Sequence, residues 1–138
     1  MRVVLDTNVL VSALLSPGHP PALLLNAWLD NRFELLVSRQ QLAEIGRVTR
    51  YPGLKSRIRS SEAGRLINLL GDLATNVMSP VEVDMSPDPF DNFLLGLAIS
   101  GAADYLVTGD KAGVLALKRV GQARIVSAHD FCRTLKLL

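Results

Sequence analysis

Two aspartates stand directly beyond short apolar runs that are typical of buried β-strands. Asp6 follows Val3-Val4-Leu5, and Asp110 comes after Leu106-Val107-Thr108. Ligands of open parallel sheets bind beyond the carboxyl ends of the strands, because the loops there converge on a crevice. A lone aspartate after a strand is also a common turn former or helix N-cap. Two of them at strand ends predict a carboxylate site at that edge of a sheet.

Asp91 is a third acid with an inward-facing pattern. It shares one helical face with apolar residues at i+3, i+4 and i+7, namely Leu94, Leu95 and Ala98. A structural role is the alternative. With Asp88 as N-cap and Pro89 as the first helical residue, Asp91 would hold the acidic third position of a capping box and complement the helix dipole. The local pattern leaves both interpretations open.

Glu44 lies at the border of a helical apolar stripe. The stripe consists of Leu42, Ile45 and Val48. At 100° per residue, Glu44 falls on its edge, where a carboxylate either faces the core or is solvated. Both readings stay open for this residue. The remaining acids have placements typical of surface, turn or cap residues.

Four carboxylates in one pocket require a cation. Like charges brought together raise one another's pKa, and a divalent metal removes that conflict. His19, His129 and Cys132 are too scattered to form a zinc site. Oxygen ligands alone favour Mg²⁺ or Mn²⁺, as one or two ions. Such ions lower the pKa of bound water and stabilise charge on a phosphodiester under attack.

Other chemistries that use aspartates find less support. A phosphatase with an aspartyl nucleophile would carry a second aspartate two residues after the first, where this chain has Asn8. A receiver domain would place its phospho-accepting aspartate after the strand predicted at 33–37, but Ser38 follows it. Neither a P-loop nor a glycine-rich dinucleotide motif is present.

Strands and helices alternate along the chain. Residues 79–89 contain three prolines and predict a connection with at most a short strand. Ser38 is the expected N-cap of the third helix. The alternation predicts an α/β fold with a parallel or mostly parallel sheet and right-handed crossovers. The predicted strands are 2–5, 33–37, 105–108 and 124–126, and the predicted helices are 9–15, 22–29, 40–50, 61–73, 90–100, a short one ending at 118, and one from 129.

Composition indicates one compact domain over residues 1–138. The chain is 49% hydrophobic and 20% charged, which excludes intrinsic disorder, and its length supports a core without disulfides. The net charge of +2 is too small to indicate nucleic-acid binding by itself. The uncharged stretch from Thr7 to Leu29 is broken by prolines and predicts no membrane span. A single cysteine and the absence of a signal-peptide pattern favour the cytoplasm.

Four segments together resemble the PIN domain family over essentially the whole chain. They are Val4-Leu5-Asp6-Thr7-Asn8-Val9, Leu42-Ala43-Glu44-Ile45, Asp88-Pro89-Phe90-Asp91-Asn92, and residues 101–111, which include Val107-Thr108-Gly109-Asp110-Lys111. The similarity is to the branch of toxins related to VapC ribonucleases of toxin–antitoxin systems. The resemblance implies a PIN-like three-layer sandwich, with a mostly parallel central sheet flanked by helices.

The resemblance also implies a function and a site. It implies a Mg²⁺- or Mn²⁺-dependent endoribonuclease that leaves a 5′-phosphate and a 3′-hydroxyl. Its catalytic and metal-binding acids would be Asp6, Glu44, Asp91 and Asp110, with Asn8 and Thr108 as supporting polar residues. We expect Asp6 and Asp91 to hold the metal most directly. The resemblance further implies that the chain forms a homodimer and that a small antitoxin protein inhibits it.

Two positions depart from that branch of the family. Relatives often carry further acids where this chain has Phe90 and Ala112. Fewer peripheral carboxylates argue against a second firmly held metal. The four central acids remain, which favours an active enzyme. A non-catalytic RNA-binding or scaffold domain with the same fold is the alternative function.

Basic residues concentrate between positions 47 and 65. Six of these nineteen residues are basic and one, Glu62, is acidic. RNA binding would need such local positive charge beside the acids, whereas a solvated helix surface is the ordinary alternative. The candidate RNA-binding residues are Arg47, Arg50, Lys55, Arg57 and Arg59, and Arg65 completes the cluster.

Overall fold

The computed structural model describes residues 1–86, 91–109 and 113–138. Helices and strands alternate along these ranges, as the sequence predicts. None of the helices in these ranges has the length and hydropathy needed to cross a bilayer. The strands are β1 (Arg2–Leu5), β2 (Glu34–Val37), β3 (Thr75–Asn76), β4 (Tyr105–Val107), β5 (Arg119–Val120) and β6 (Ala123–Val126). The α-helices are α1 (Thr7–Leu15), α2 (Pro20–Leu29), α3 (Arg39–Val48), α4 (Pro52–Lys55), α5 (Ser60–Leu73), α6 (Asn92–Ser100) and α7 (Ala128–Thr134).

The strands form one sheet in the order β3-β2-β1-β4-β6-β5. All neighbouring pairs are parallel except β5 and β6, which are antiparallel. The chain builds outward from β1 through β2 to β3, then returns to β4 on the other side of β1. The boundary between β1 and β4 is therefore a topological switch point, where parallel sheets open a crevice at their carboxyl ends.

Alternate residues of β1 point into two separate cores. Val3 and Leu5 pack with α1, α2, α3, α5 and α7 on one face of the sheet. Val4 packs with α6 on the other face. All three side chains are buried, as expected for a parallel strand covered on both faces. The result is the predicted three-layer α/β sandwich.

The predicted elements are found with shifted ends, and three short ones were not foreseen. Strands β3 and β5 have two residues each, and α4 has four. The helix expected to begin at Phe90 is described from Asn92, and Asp91 directly precedes its first α-helical residue. Asp88, Pro89 and Phe90 lie outside the described residues.

The chain between β3 and residue 86 lies against α6 without forming a strand. The Val81 backbone N–H donates to Ser100 Oγ at 2.8 Å, and the backbone N–H groups of Met85 and Ser86 donate to Asn92 Oδ1. A Cβ atom added to Gly96 would lie 2.0 Å from the Val81 carbonyl oxygen. Gly96 therefore permits the close approach of this segment to α6.

Substituting Gly96 with alanine tests this packing. We expect Gly96→Ala to lower the free energy of unfolding by about 2 kcal/mol, because the clash with backbone outweighs the helix propensity of alanine. That corresponds to a fall in Tm of roughly 6 °C for a chain of this size. Gly71→Ala on α5 is the matched control, since open space surrounds its position, and it should stabilise by about 0.5–1 kcal/mol. Equal effects in the two thermal melts would contradict the contact.

Candidate active site

Asp6 is a buried carboxylate at the switch point. Its backbone N–H donates to the Val107 carbonyl at 2.8 Å, which fixes it beside the end of β4. Its side chain caps α1 by accepting from the Asn8 backbone N–H at 3.2 Å through Oδ1. Oδ2 accepts from the Thr108 hydroxyl at 2.7 Å. Asp6 is 5% exposed and Thr108 is fully buried, so the carboxylate is held rigidly by both strand ends.

Asn8 and Thr108 contribute to this arrangement in different ways. Thr108 uses its side chain, which donates directly to the carboxylate. Asn8 uses its backbone N–H, and its side chain is exposed. The family resemblance implied a supporting role for both residues, and each donates one hydrogen bond to the Asp6 carboxylate.

Glu44 faces Asp6 from α3. It is half-buried, and its pKa is raised above 4.5 first by desolvation and then by the negative charge of Asp6. The positive charge of Arg47 and the Thr7 hydroxyl act in the opposite direction, and burial and repulsion prevail. A carboxyl group whose ionisation is opposed by burial and by a second carboxylate is typical of a site that receives a cation.

Two buried oxygen atoms beside these acids lack ordinary hydrogen bonds. Thr7 Oγ1 is close enough to Glu44 to affect its pKa but completes no hydrogen bond of good geometry. Gln41 Nε2 donates to the Leu5 carbonyl at 2.6 Å, while its Oε1 has no partner. Buried polar atoms are normally satisfied by protein, water or an ion. The carboxylate, hydroxyl and amide oxygens fit a hard divalent cation such as Mg²⁺.

The structure describes one of the other two predicted acids, Asp91, but not Asp110. Asp91 is half-buried at the N-terminus of α6, and Asn92 and Phe93, which follow it, face cavities that α3 also lines. Asp110 lies outside the described residues. Within residues 1–86, 91–109 and 113–138, no group of three or more Asp, Glu, His and Cys side chains is close enough to hold a metal ion. In the described residues, Asp6 and Glu44 interact electrostatically, and Asp91 lies at the start of α6.

Two cavities lie between α3 and the start of α6, and Glu44 lines the larger of them. The larger has a volume of about 710 Å³ and is lined by Gln40, Ala43, Glu44, Arg47, Val48, Tyr51 and Phe93. The smaller, of about 360 Å³, lies between the start of α3, the segment 80–83 and the start of α6. Gln40 and Phe93 line both, so the two cavities adjoin each other along α3 and α6. Glu44 is therefore accessible through the larger cavity.

Comparison with known proteins identifies the fold family. A model of the PIN domain family matches residues 2–112, which contain both strands and both acids of the crevice. The chain belongs to the PIN domain family. It is 26% identical over 117 residues to the uncharacterized protein MJ1680 of Methanocaldococcus jannaschii, covering 80% of this chain and 72% of that protein. No solved structure matches the chain at a significant level.

Family membership gives this PIN domain a general chemistry. PIN domains are generally nucleases, and they typically bind divalent metal ions. Both properties agree with an oxygen-lined crevice at the carboxyl edge of a parallel sheet. The family therefore supports a nuclease-like fold with a metal-binding tendency.

The basic residues of the PIN domain are distributed over three different surfaces. Arg47 lines the larger cavity with Glu44. Arg50 and Lys55 line a cavity of about 400 Å³ between α3, α4 and α5. Arg59 and Arg65 line another, which α1 and α2 also border. All six cluster members are exposed, and Arg47, Arg50 and Lys55 lie on or next to the helix that carries Glu44.

Sequence reasoning passed over four residues that line or support the site. Thr7 follows Asp6 directly, and Gln41 precedes Glu44 by three positions on the same helical face. That spacing was a usable signal for Gln41. Tyr51 and Phe93 come together only through the fold, since one follows α3 and the other opens α6.

The raised pKa of Glu44 gives a pH-dependent stability. The folded state binds this proton more tightly than the unfolded state, so the stabilisation it provides is complete below pH 4.5 and is lost as pH rises through the folded pKa. We expect Glu44→Gln to raise the metal-free Tm at neutral pH and to leave the acidic Tm nearly unchanged. Melting in EDTA from about pH 4 to pH 8 measures this difference. Asp72→Asn, at an exposed position of α5, is the control, and an equal gain at all pH values for Glu44→Gln would contradict the assignment.

Proposed function

We propose that this PIN domain is a Mg²⁺- or Mn²⁺-dependent endoribonuclease whose acidic site comprises Asp6, Glu44, Asp91 and Asp110. The observation that carries the proposal is the buried Asp6 carboxylate, held by Thr108 and facing Glu44 at the switch point. Family membership supports nuclease chemistry, and the unsatisfied oxygens of Thr7 and Gln41 support a cation beside the pair.

The side chains of this site divide the work of binding and orientation. Asp6 and Asp91 would hold the ion most directly, with Glu44 and Asp110 completing the carboxylate set by direct or water-mediated contact. A bound divalent ion supplies charge neutralisation at the phosphodiester and an acidified water. Thr108 fixes the orientation of the Asp6 carboxylate, and Gln41 ties α3 to the end of β1 through the Leu5 carbonyl. These two hydrogen bonds hold Asp6 and the helix that carries Glu44 in a fixed position relative to each other.

A cleavage assay on purified protein tests the proposal. We expect a labelled single-stranded RNA to be cut with Mg²⁺ or Mn²⁺ and to remain intact with EDTA. Analysis of the cut ends should find a 5′-phosphate and a 3′-hydroxyl. Saturable Mn²⁺ binding without cleavage of any RNA would reject the enzyme, and lack of both would favour the scaffold alternative.

Two basic residues that follow the helix carrying Glu44 provide a second test. Neutralising Arg50 and Lys55 together, by Arg50→Gln and Lys55→Gln, should weaken RNA binding and reduce the slope of log K against log salt by about 1.4, the value for two contacts to a single strand. Arg59→Gln with Arg65→Gln removes the same charge from the surface bordered by α1 and α2. Binding measured from low to high salt should change less in that control. Equal slopes in the two double variants would assign RNA binding to general charge.

The proposal extends to a toxin paired with a small antitoxin protein, acting as a homodimer. This extension rests on the sequence resemblance to toxin ribonucleases, which typically dimerise and are inhibited by a small antitoxin. Expression of the chain should arrest bacterial growth, and Asp6→Asn should relieve the arrest. A gene for a small protein directly beside this one, whose product forms a complex with the chain and inhibits cleavage, is the expected partner. Unimpaired growth with soluble, RNA-cleaving protein would reject the toxin role.

A further inference from the structure

The aromatic residues of the described chain divide into two groups. Trp28, Phe33 and Phe131 are buried in the core, and Tyr105 packs on Phe131 with ring centroids 4.9 Å apart. The other two, Tyr51 and Phe93, line the same cavity beside Glu44. Tyr51 is 49% exposed and Phe93 is half-buried. Among the described residues, the exposed ring of Tyr51 and the partly exposed ring of Phe93 thus lie at one cavity.

Neither ring of this cavity stacks on another aromatic side chain among the described residues. Tyr51 follows α3 and precedes Pro52, so its backbone starts α4 and its ring is not needed to cap a helix. Phe93 packs one side on the core beneath α6 and lines the cavity as well. Exposed ring surface of this kind is typical of a binding site, because large apolar groups left in water gain from a ligand that covers them.

Polar groups of the cavity complement a nucleotide. Arg47 makes no hydrogen bond or ion pair shorter than 4 Å in the described structure. It lines the cavity together with Glu44, and its positive charge lowers the pKa of that residue. A guanidinium in this position suits a phosphate oxygen. Gln40 adds an exposed amide that both donates and accepts. With about 710 Å³, the cavity has the size of ordinary ligand pockets.

We propose that this cavity, lined by Tyr51, Phe93 and Arg47, binds an unpaired nucleobase and its phosphate next to the cleaved bond. The proposal rests on the ribonuclease function above and makes the substrate single-stranded RNA. Bases of a duplex are paired and stacked, so neighbouring base pairs cover the ring faces that an aromatic side chain would contact. A base must therefore leave its stack to contact these rings.

Binding without cleavage tests the cavity separately from catalysis. The probe is a fluorescein-labelled oligouridine of about eight nucleotides, a length within ordinary single-strand site sizes, titrated in EDTA and followed by anisotropy. Tyr51→Ala should weaken binding about 5- to 150-fold, which corresponds to the loss of one stacked base. Tyr51→Phe keeps the ring and should bind within about twofold of the wild type. An abasic strand of equal length should bind more weakly and respond little to Tyr51→Ala.

Leu73→Ala is the matched control. Leu73 is also an exposed apolar side chain, but it lies at the end of α5 near the amino ends of the strands. It should bind like the wild type, and the melting temperatures of all variants should agree within a few degrees. Phe93→Leu provides an independent change in the same cavity, and it should also reduce oligouridine binding more than abasic binding.

The outcomes separate the cavity from the enzyme. Ring-dependent binding with no metal-dependent cleavage would support the cavity and reject the nuclease. Cleavage by a protein whose Tyr51→Ala variant binds oligouridine, the abasic strand and duplex RNA unchanged would reject the cavity and keep the nuclease. Equal losses for oligouridine and the abasic strand, or no wild-type binding to either, would also overturn the proposed base site.

Discussion

Asp6→Asn should reduce metal-dependent RNA cleavage by at least about 100-fold while the fold remains intact. Loss of an outer partner of a metal ligand alone costs about 10–100-fold in metal affinity or activity, and Asp6 is proposed as a direct ligand. The change removes one negative charge from the pair with Glu44 and replaces a carboxylate oxygen by an amide nitrogen. Metal affinity and cleavage should therefore fall together.

The structure explains why this variant should still fold. Asparagine is as good an N-cap as aspartate, so α1 keeps the bond from the Asn8 backbone N–H. The amide nitrogen takes the place of Oδ2 and can donate to the Thr108 hydroxyl oxygen, so this contact is kept with its direction reversed. In EDTA the variant should melt near the wild-type temperature, because the loss of the repulsion acting on Glu44 offsets the weaker, uncharged contact with Thr108.

Mn²⁺ titration calorimetry and RNA cleavage, measured on the same preparation, check the Asp6 prediction. Asp130→Asn is the control, since Asp130 is an exposed acid in the first turn of α7. It removes the same charge from the chain and should alter neither quantity. Full Mg²⁺-dependent cleavage by Asp6→Asn would refute the role assigned to this carboxylate.

The strand ends of the site were predictable because their signal is local. Val3-Val4-Leu5 and Leu106-Val107 are continuous apolar runs, and a parallel strand buried on both faces needs such a run. A polar residue directly after each run marks the carboxyl end. What the sequence did not specify is that β1 and β4 are neighbours, because that order arises from the crossover after β3. Their adjacency is what brings Thr108 to Asp6.

Other features depend on contacts between distant segments. Strands β3 and β5 are two residues long and gain their pairing from β2 and β6, so they have no periodicity of their own to detect. The approach of Val81 to Gly96 likewise joins two segments that no local pattern connects. Sequence reasoning proposed the acids from residue type and periodicity, but Tyr51, which follows α3, and Phe93, at the start of α6, come to one cavity only through the fold.

Thr108→Val should show how far the site depends on one hydroxyl. Valine preserves the shape of threonine and suits the end of a strand, but it removes the donor that lies 2.7 Å from Asp6 Oδ2. Hydrogen bonds to charged groups contribute about 1.5–3 kcal/mol, and more is lost when the buried acceptor has no water to replace the donor. We expect a loss of about that size in the free energy of unfolding, and a loss of about 10–100-fold in Mn²⁺ affinity.

Thr108→Ser keeps the hydroxyl and should restore most of both quantities. A double-mutant cycle with Asp6→Asn then separates the charge-assisted bond from general packing. If the bond acts through the charge of Asp6, Thr108→Val should cost only about 1 kcal/mol when position 6 is neutral, as expected for a bond between uncharged groups. Equal costs in the aspartate and asparagine backgrounds, measured by chemical unfolding, would mean that Thr108 stabilises the strand end but does not orient the carboxylate. The cycle thus decides whether Thr108 orients the Asp6 carboxylate or only stabilises the end of the strand.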